Sequence, residues 1–341
     1  MGFGDLLIPH RVRQTLFAAV KALRLPPAYL FVGPAGIGKR ATALTLAKAL
    51  NCLGASDDAC DHCTVCLRID RHLHPDIHVV EPQGQVIKID QIRQLQEVLT
   101  LQAYEARVKV AILDDTGQLS LEAANSLLKI LEEPPARTLF IMLSQQLGSL
   151  PATLISRAQI LRFGLLAHDQ LVAFLRQHAY DASTAERTAQ LNGGRPGAAL
   201  TCDLTLVLER RSEALDMLTQ ALAGDPRVLL LTAEQLAKRK GDHQLLCAML
   251  LSLIRDLTVI RAGGHDAQLM HRDLRDTLAP LGVSIPIATL WEMFEIVHST
   301  QGAIAHNVNP QLAFEVMLFK IGDAYERARQ RDRQRQRYAL T

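Results

Sequence analysis

Two hydrophobic rhythms divide this chain. Over the first 163 residues, short apolar runs alternate with stretches whose apolar residues return every three or four positions. The runs Ala28–Val32, Asp76–Val80, Val108–Leu113 and Thr138–Ser144 predict strands. Between them, Ala41–Leu50, Gln91–Leu101 and Ser120–Glu132 carry helical spacing, with Ile92, Leu95, Val98 and Leu99 on one face of the second. Strands separated by helices predict a parallel sheet covered by helices on both faces. Pro134 and Pro135 end the third helix, because proline has no amide to donate and restricts the residue before it.

Beyond about Phe163 the strand signals stop and only helical patterns follow, broken around 192–197, 224–226 and 263–264. Residues 164–202 read as a small helical module and 203–326 as a larger helical domain. The tail, 327–341, carries arginine at every second position from Arg327 to Arg337. It reads as a nucleic-acid arm or as a solvated helix end. Alternate spacing spreads charge all round a helix, which favours the second reading.

Composition sharpens this only in part. A chain of 341 residues suffices for several cored domains, and 21% charged with 48% hydrophobic residues is ordinary for a globular protein. Few aromatic residues and abundant leucine and alanine favour helix. A net charge of +2, from 37 basic and 35 acidic residues, is too balanced for a dedicated nucleic-acid coat. Any DNA contact is therefore expected to be local or shared with partners. The N-terminal stretch lacks the features of a signal peptide, and apolar runs such as Leu245–Ile254 are too short or too interrupted to span a bilayer. A cytoplasmic protein without membrane contact is expected.

The first chemical motif is the loop Gly33-Pro-Ala-Gly-Ile-Gly-Lys39, between a predicted strand and a predicted helix. Gly33, Gly36 and Gly38 let backbone amides converge on a phosphate, the helix start adds positive potential, and Lys39 adds a cation. The next residue should be a serine or threonine holding Mg²⁺, but here it is Arg40, which offers no oxygen. Thr42 is two helix positions on, rotated away from the phosphates. Asp114, directly after the predicted strand Val108–Leu113, stands where a carboxylate would reach the metal. An ATPase of this design usually follows it with glutamate, and Asp115 is one methylene shorter. These residues fit a degenerate nucleotide site, able to take ATP, ADP or bare phosphate and poorly equipped to hydrolyse.

The second motif is Cys52-x7-Cys60-x2-Cys63-x2-Cys66. Clustered thiols point to metal rather than to a disulfide scaffold, and four thiolates close a tetrahedral structural Zn²⁺ site with no position left for catalysis. His62, His72 and His74 read as bystanders, although one could replace a cysteine. Arg157, after Ser156, is by sequence alone one surface arginine among many.

Several separated stretches together resemble the delta-prime family of bacterial DNA polymerase III clamp loader subunits. They are GPAGIGKR at 33–40 with the cysteine module after it, HPDIHVVEP at 74–82, IKIDQIRQL at 87–95 and AANSLLKILEEPP at 123–135. LPATLISRAQ at 150–159, GGRPGAAL at 193–200 and NVNPQLAFE at 307–315 complete the series. The resemblance implies an AAA+ fold: an α/β P-loop domain over 1–163 with a zinc module at about 51–68, a three-helix lid over 164–202 and an all-α collar over 203–326. It implies a hetero-oligomeric, pentameric ring with delta and gamma/tau subunits, which opens a sliding clamp and places it on primed DNA. In that ring the chain would be a non-hydrolysing stator within the DNA-directed DNA polymerase complex, and Arg157 an arginine finger reaching a neighbour's ATP. Gly197 stands where an active relative has its sensing arginine, with Arg195 two positions away. Ser144 matches a γ-phosphate-sensing residue, and Ala158 replaces the family's usual cysteine. Arg93 and Lys129 belong to segments that line the family's central chamber, without being assigned to DNA. The competing readings are an ATP-hydrolysing motor of the gamma type and a free-standing P-loop kinase or zinc-dependent nucleic-acid binder. The latter leaves the helical domain unexplained.

Overall fold

The computed structural model describes residues 2–54, 58–239, 241–306 and 308–339, and their side chains apart from 267 and 335–339. Residues 55–57 of the cysteine module, Asn307 of the NVNPQLAFE stretch and 340–341 of the tail lie outside the described residues, as do the side chains of Arg335 and Arg337. The chain divides into two compact units, Met1–Thr201 and Cys202–Thr341.

The first unit runs α1 (His10–Ala22), β1 (Ala28–Val32), α2 (Lys39–Asn51), α3 (Thr64–Asp70), β2 (Ile77–Val80), α4 (Ile89–Thr100), β3 (Lys109–Leu113), α5 (Leu121–Glu132), β4 (Thr138–Ser144), α6 (Ala152–Ile155) and β5 (Gln159–Arg162). The small helices α7 (His168–Gln177), α8 (Ala182–Asn192) and α9 (Pro196–Leu200) complete it. Its strands form one sheet in the order β2-β3-β4-β1-β5, with every neighbour parallel. This is a parallel sheet flanked by helices, the architecture that the alternation of strands and helices predicts.

The unbroken apolar runs have a direct cause, since alternate residues of each central strand enter two different cores. Tyr29, Phe31, Val110 and Ile112 join α1 and α2 on one face, while Leu30, Ala111, Leu113 and Phe140 join α4 and α5 on the other. Burying each large side chain contributes about 1.5–3 kcal/mol. A strand covered on both faces cannot alternate apolar with polar residues.

β5 is a fifth strand that the apolar runs do not predict. It is four residues long, with Gln159 and Arg162 exposed at its ends, and pairing with β1 brings it into the sheet.

The second unit is helical: α10 (Leu204–Ala223), α11 (Pro226–Ala237), α12 (His243–Arg261), α13 (Arg275–Ser284), α14 (Ile287–Ala305) and α15 (Pro310–Ala339). The break predicted at 224–226 is a helix-to-helix turn. Gly224 closes α10 in the left-handed region, Asp225 accepts the Arg227 amide, and Pro226 opens α11.

The apolar run read as too short for a bilayer lies within α12. At 19 residues, that helix is long and apolar enough to cross a membrane by length and composition. Its Leu246, Leu250, Leu253, Ile254 and Leu257 are buried in this unit's own core, which accounts for the apolarity.

Within this unit the buried Asp256 accepts hydrogen bonds from the Met270 and His271 amides, at 3.0 and 2.7 Å, and from Arg255. The His271 ring is fully buried, with Nε2 2.8 Å from Ser252 Oγ. Burial pushes His271 down to about 4 despite the nearby Asp256 charge. The folded ring therefore stays neutral where the unfolded one would take a proton. Its stabilisation is complete above the unfolded value near 6.5 and is lost as pH falls towards 4. Between pH 7 and pH 5 the wild type is expected to lose about 2 kcal/mol relative to His271→Gln, measured by urea titration. A difference between the two proteins that does not change with pH would show that the ring is not held neutral.

Candidate nucleotide and metal sites

The loop 33–38 leaves the carboxyl end of β1 and feeds α2, whose first residue is Lys39. Gly36 and Gly38 both adopt positive φ, which bends the loop around its own amides. Among the described residues, the amides of Ile37, Gly38, Lys39 and Arg40 meet no protein acceptor. Lys39 Nζ donates to the carbonyls of Gly33 and Pro34. Burial lowers its pKa, and Asp114 and Asp115 partly oppose that shift. A cleft of about 440 Å³ opens here, lined by Gly36, Lys39, Arg40, Asp114, Asp115 and Ser144 among others.

Gly36, Gly38, Lys39, Arg40 and Asp114 thus converge at one cleft, whereas Gly33 does not line it and lies close against Phe163. Convergent amides and a buried ammonium suit a phosphate chain, but the set does not fit a magnesium site. Arg40 Nη1 lies 3.2 Å from Asp114 Oδ2 and also pairs with Glu81. A fixed cation therefore holds the carboxylate that should help to hold the metal. Thr42 is buried, its hydroxyl donates to the Gly38 carbonyl at 2.8 Å and it does not line the cleft, so it does not stand in.

Asp115 has a left-handed backbone, and its carboxyl is pushed up by burial and by the charge of Asp114. The Ser144 hydroxyl donates to the Gln146 carbonyl at 2.8 Å, tying it to its own loop. Sequence reasoning missed Glu81. It directly follows β2, and only the parallel pairing of β2 with β3 brings it level with Asp114.

The 193–200 segment meets the phosphate loop directly. The Gly197 and Ala198 amides donate to the Gly36 carbonyl at 2.8 and 3.1 Å. A Cβ on Gly197 would lie 2.9 Å from that oxygen, and one on Gly36 would lie 2.7 Å from Ala198 Cβ. Both positions need glycine for this contact. Arg195 Nε donates to the Asn192 carbonyl at 2.9 Å and does not line the cleft.

The four cysteines come together, with ligand atoms all within 4.8 Å of one another. Zn–S bonds of about 2.3 Å in a tetrahedron place sulfurs about 3.8 Å apart, so the cluster is of the right size for a metal ion. The Gly54, Cys63 and Cys66 amides donate to Cys52, Cys60 and Cys63 sulfurs at 3.4 Å. Burial raises the Cys63 pKa, but hydrogen bonds, led by those from the Cys66 and Leu53 amides, outweigh it and hold the thiol at about 6. Burial pushes Cys66 up. His62 Nδ1 is 2.6 Å from the Cys60 carbonyl and His74 Nδ1 accepts from the Asp76 amide. Neither they nor His72 belong to the cluster found among the described residues. Lys48 of α2, 2% exposed, pairs with Asp61 of the module and with Asp70 of α3, fastening the module to the sheet domain.

Arg157 follows α6 and does not line the cleft. One nitrogen donates to the Thr153 carbonyl at 3.0 Å and another pairs with Glu132 at the end of α5. The side chain remains 36% exposed, so another chain could reach it. Arg93 and Lys129 are exposed on α4 and α5, which pack together through Gln96 and Ser126.

Two family profiles match, together covering most of the chain: DNA polymerase III, delta subunit, over 8–166, and DNA polymerase III, delta subunit, C terminal, over 206–323. The DNA polymerase III subunit delta' of Bacillus subtilis is 29% identical over 314 residues, 91% of this chain and 95% of that relative. The chain belongs to the delta-prime family of DNA polymerase III clamp loader subunits. A second family member, the subunit delta' of Pseudomonas aeruginosa, is 34% identical over 208 residues, 58% of this chain and 63% of the relative. The subunit tau of Bacillus subtilis is 26% identical over 94% of this chain but over only 61% of its own length. Such relatives are subunits of one complex, so family membership makes this chain a subunit rather than a free-standing kinase.

Proposed function

We propose that this chain is the non-hydrolysing stator of a DNA polymerase III clamp loader. The observation that carries this reading is the Arg40–Asp114 pair, with Thr42 turned onto a backbone carbonyl. A P-loop site works by positioning a metal and a water against the γ-phosphate. Here a side chain is set against the metal's carboxylate.

In this reading the chain joins delta and gamma/tau subunits in a pentameric cytoplasmic ring that loads the sliding clamp onto primed DNA. Residues 1–163 form the nucleotide-binding-like domain, 164–202 the lid, 203–326 the collar that joins the ring, and 327–341 a basic tail. Cys52, Cys60, Cys63 and Cys66 hold a structural Zn²⁺. The cleft binds ATP or ADP without hydrolysing it. Arg157, part-exposed and away from this chain's own cleft, reaches a neighbour's ATP as an arginine finger.

The motor reading has support in the tau relative that aligns along most of this chain. The two readings separate on one measurement, ATP hydrolysis with clamp and primed DNA by the purified chain alone and by the reassembled complex. A silent chain and an active complex are expected. Hydrolysis by the chain alone, abolished by Lys39→Ala, would make it a motor.

A further inference from the structure

We propose that the Arg40 guanidinium is a built-in replacement for the magnesium ion, so that the cleft binds a nucleoside diphosphate or triphosphate in its metal-free form. This rests on the reading of the cleft as a phosphate site and goes further by naming the ionic form of the ligand.

The first ground is position. Arg40 directly follows the P-loop lysine, and its guanidinium lies between Asp114 at the end of β3 and Glu81 at the end of β2. A divalent ion drawn to Asp114 would meet a fixed cation beside the same carboxylate, and like charges that close oppose one another strongly. Nor does the residue after Lys39 offer a hydroxyl to complete its shell, and Thr42 does not line the cleft.

The second ground is what a phosphate chain would find. The amides from Ile37 to Arg40 have no protein acceptor among the described residues. The Lys39 ammonium rests on two loop carbonyls, contacts that phosphate oxygens can replace. A guanidinium offers a planar fork suited to two phosphate oxygens at once.

The third ground is the ease of the exchange. Glu81 is 52% exposed, so it can give up Arg40 to an incoming phosphate and turn to water. Asp114, less exposed at 29%, keeps its hold and orients the guanidinium. Ligand binding therefore swaps one carboxylate for a phosphate and leaves Arg40 in place.

This arrangement makes magnesium a competitor. In solution the metal binds the polyphosphate, and the complexed form brings a second cation to a place already filled. A motor's nucleotide site behaves in the opposite way.

The test is calorimetric titration of the full-length, zinc-loaded chain with ADP, and separately with inorganic pyrophosphate. One series uses buffer stripped of Mg²⁺ by resin and the other uses saturating Mg²⁺. Binding in the stripped buffer and about tenfold weaker binding with Mg²⁺ are expected. Arg40→Ala and Arg40→Gln are each expected to weaken metal-free binding about tenfold or more, the loss of a charge-assisted contact. Arg40→Ser, which restores a hydroxyl, is expected to reverse the preference so that Mg²⁺ strengthens binding. Glu81→Gln removes the competing carboxylate and is expected to tighten metal-free binding. Circular dichroism and zinc content check that each variant is folded.

The proposal is overturned if binding requires Mg²⁺, if both Arg40 variants bind metal-free ADP like the wild type, or if the wild type binds neither probe in either buffer. None of these outcomes touches the role of Arg157, which is read from hydrolysis in the assembled complex. Failure of the Arg157 reading would likewise leave the titrations standing.

Discussion

Hydrolysis at one neighbouring site is expected to slow by about 10³–10⁵ when Arg157→Ala replaces the wild-type chain in a reassembled clamp loader. The reason is electrostatic. Charge spreads over the transferring phosphoryl oxygens in the transition state, and a guanidinium brought against them lowers the barrier without taking part covalently. The chain's own folding should hardly change, because a partly exposed pair such as Arg157–Glu132 contributes about 0–1 kcal/mol. That separates a lost finger from a lost fold. Arg157→Lys is expected to rescue poorly, since an ammonium lacks the planar fork. Glu132→Gln provides a further control by freeing the guanidinium while leaving it in place. The measurement is single-turnover hydrolysis by the complex with clamp and primed DNA present. A rate equal to that of the wild type with Arg157→Ala would remove Arg157 from any neighbour's chemistry and leave it an ordinary surface ion pair.

The second large effect concerns the cysteine module. Stripping the metal, or making Cys63→Ser, is expected to unfold the segment between α2 and β2 and to lower the stability of the first unit by about 3–5 kcal/mol. The size of the loss follows from Lys48. Its ammonium is buried, and its partners Asp61 and Asp70 lie within or beside the module. If the module opens, the buried Lys48 charge loses its two part-exposed carboxylates, and leaving a buried charge unpaired costs more than the pair contributes as a net interaction. Lys48→Met should therefore reduce the sensitivity to chelation by removing the stranded charge. Urea unfolding monitored by circular dichroism, alongside the measured zinc content, provides the comparison. An unchanged midpoint after complete zinc removal would show that the thiols hold nothing structural.

Much of this was legible in the chain, for identifiable reasons. Of the four predicted strands, β1, β3 and β4 are buried on both faces or nearly so, and that environment writes itself as an apolar run, whereas the edge strand β2 is only half-buried. The phosphate loop and the cysteine spacing are local, so their geometry is set by neighbours in sequence. Even the refusal of Thr42 followed from helix rotation, and its bond to Gly38 fits that account.

What escaped depends on pairing across distance. β5 has polar ends and becomes a strand only because β1 offers it an edge. Glu81 has no distinguishing neighbours, and its meeting with Arg40 arises from the register of β2 on β3. The contact of 197–198 with Gly36 joins two glycine-rich segments far apart in the chain, and nothing in either announces the other.

That last contact bears on how such a chain could change over evolutionary time. Gly197 sits where even one added carbon would meet the Gly36 carbonyl. A mutation restoring an arginine there would break the docking before it could assist any chemistry. A mutation restoring a hydroxyl at position 40 would free Asp114 and Glu81 but would leave 197 closed to a longer side chain. The change at 197 is thus disfavoured until a shift of the loop has already occurred, and the change at 40 alone leaves the site incomplete. On the stator reading, the route to a working ATPase is a valley rather than a slope, and a chain on its far side is expected to stay there.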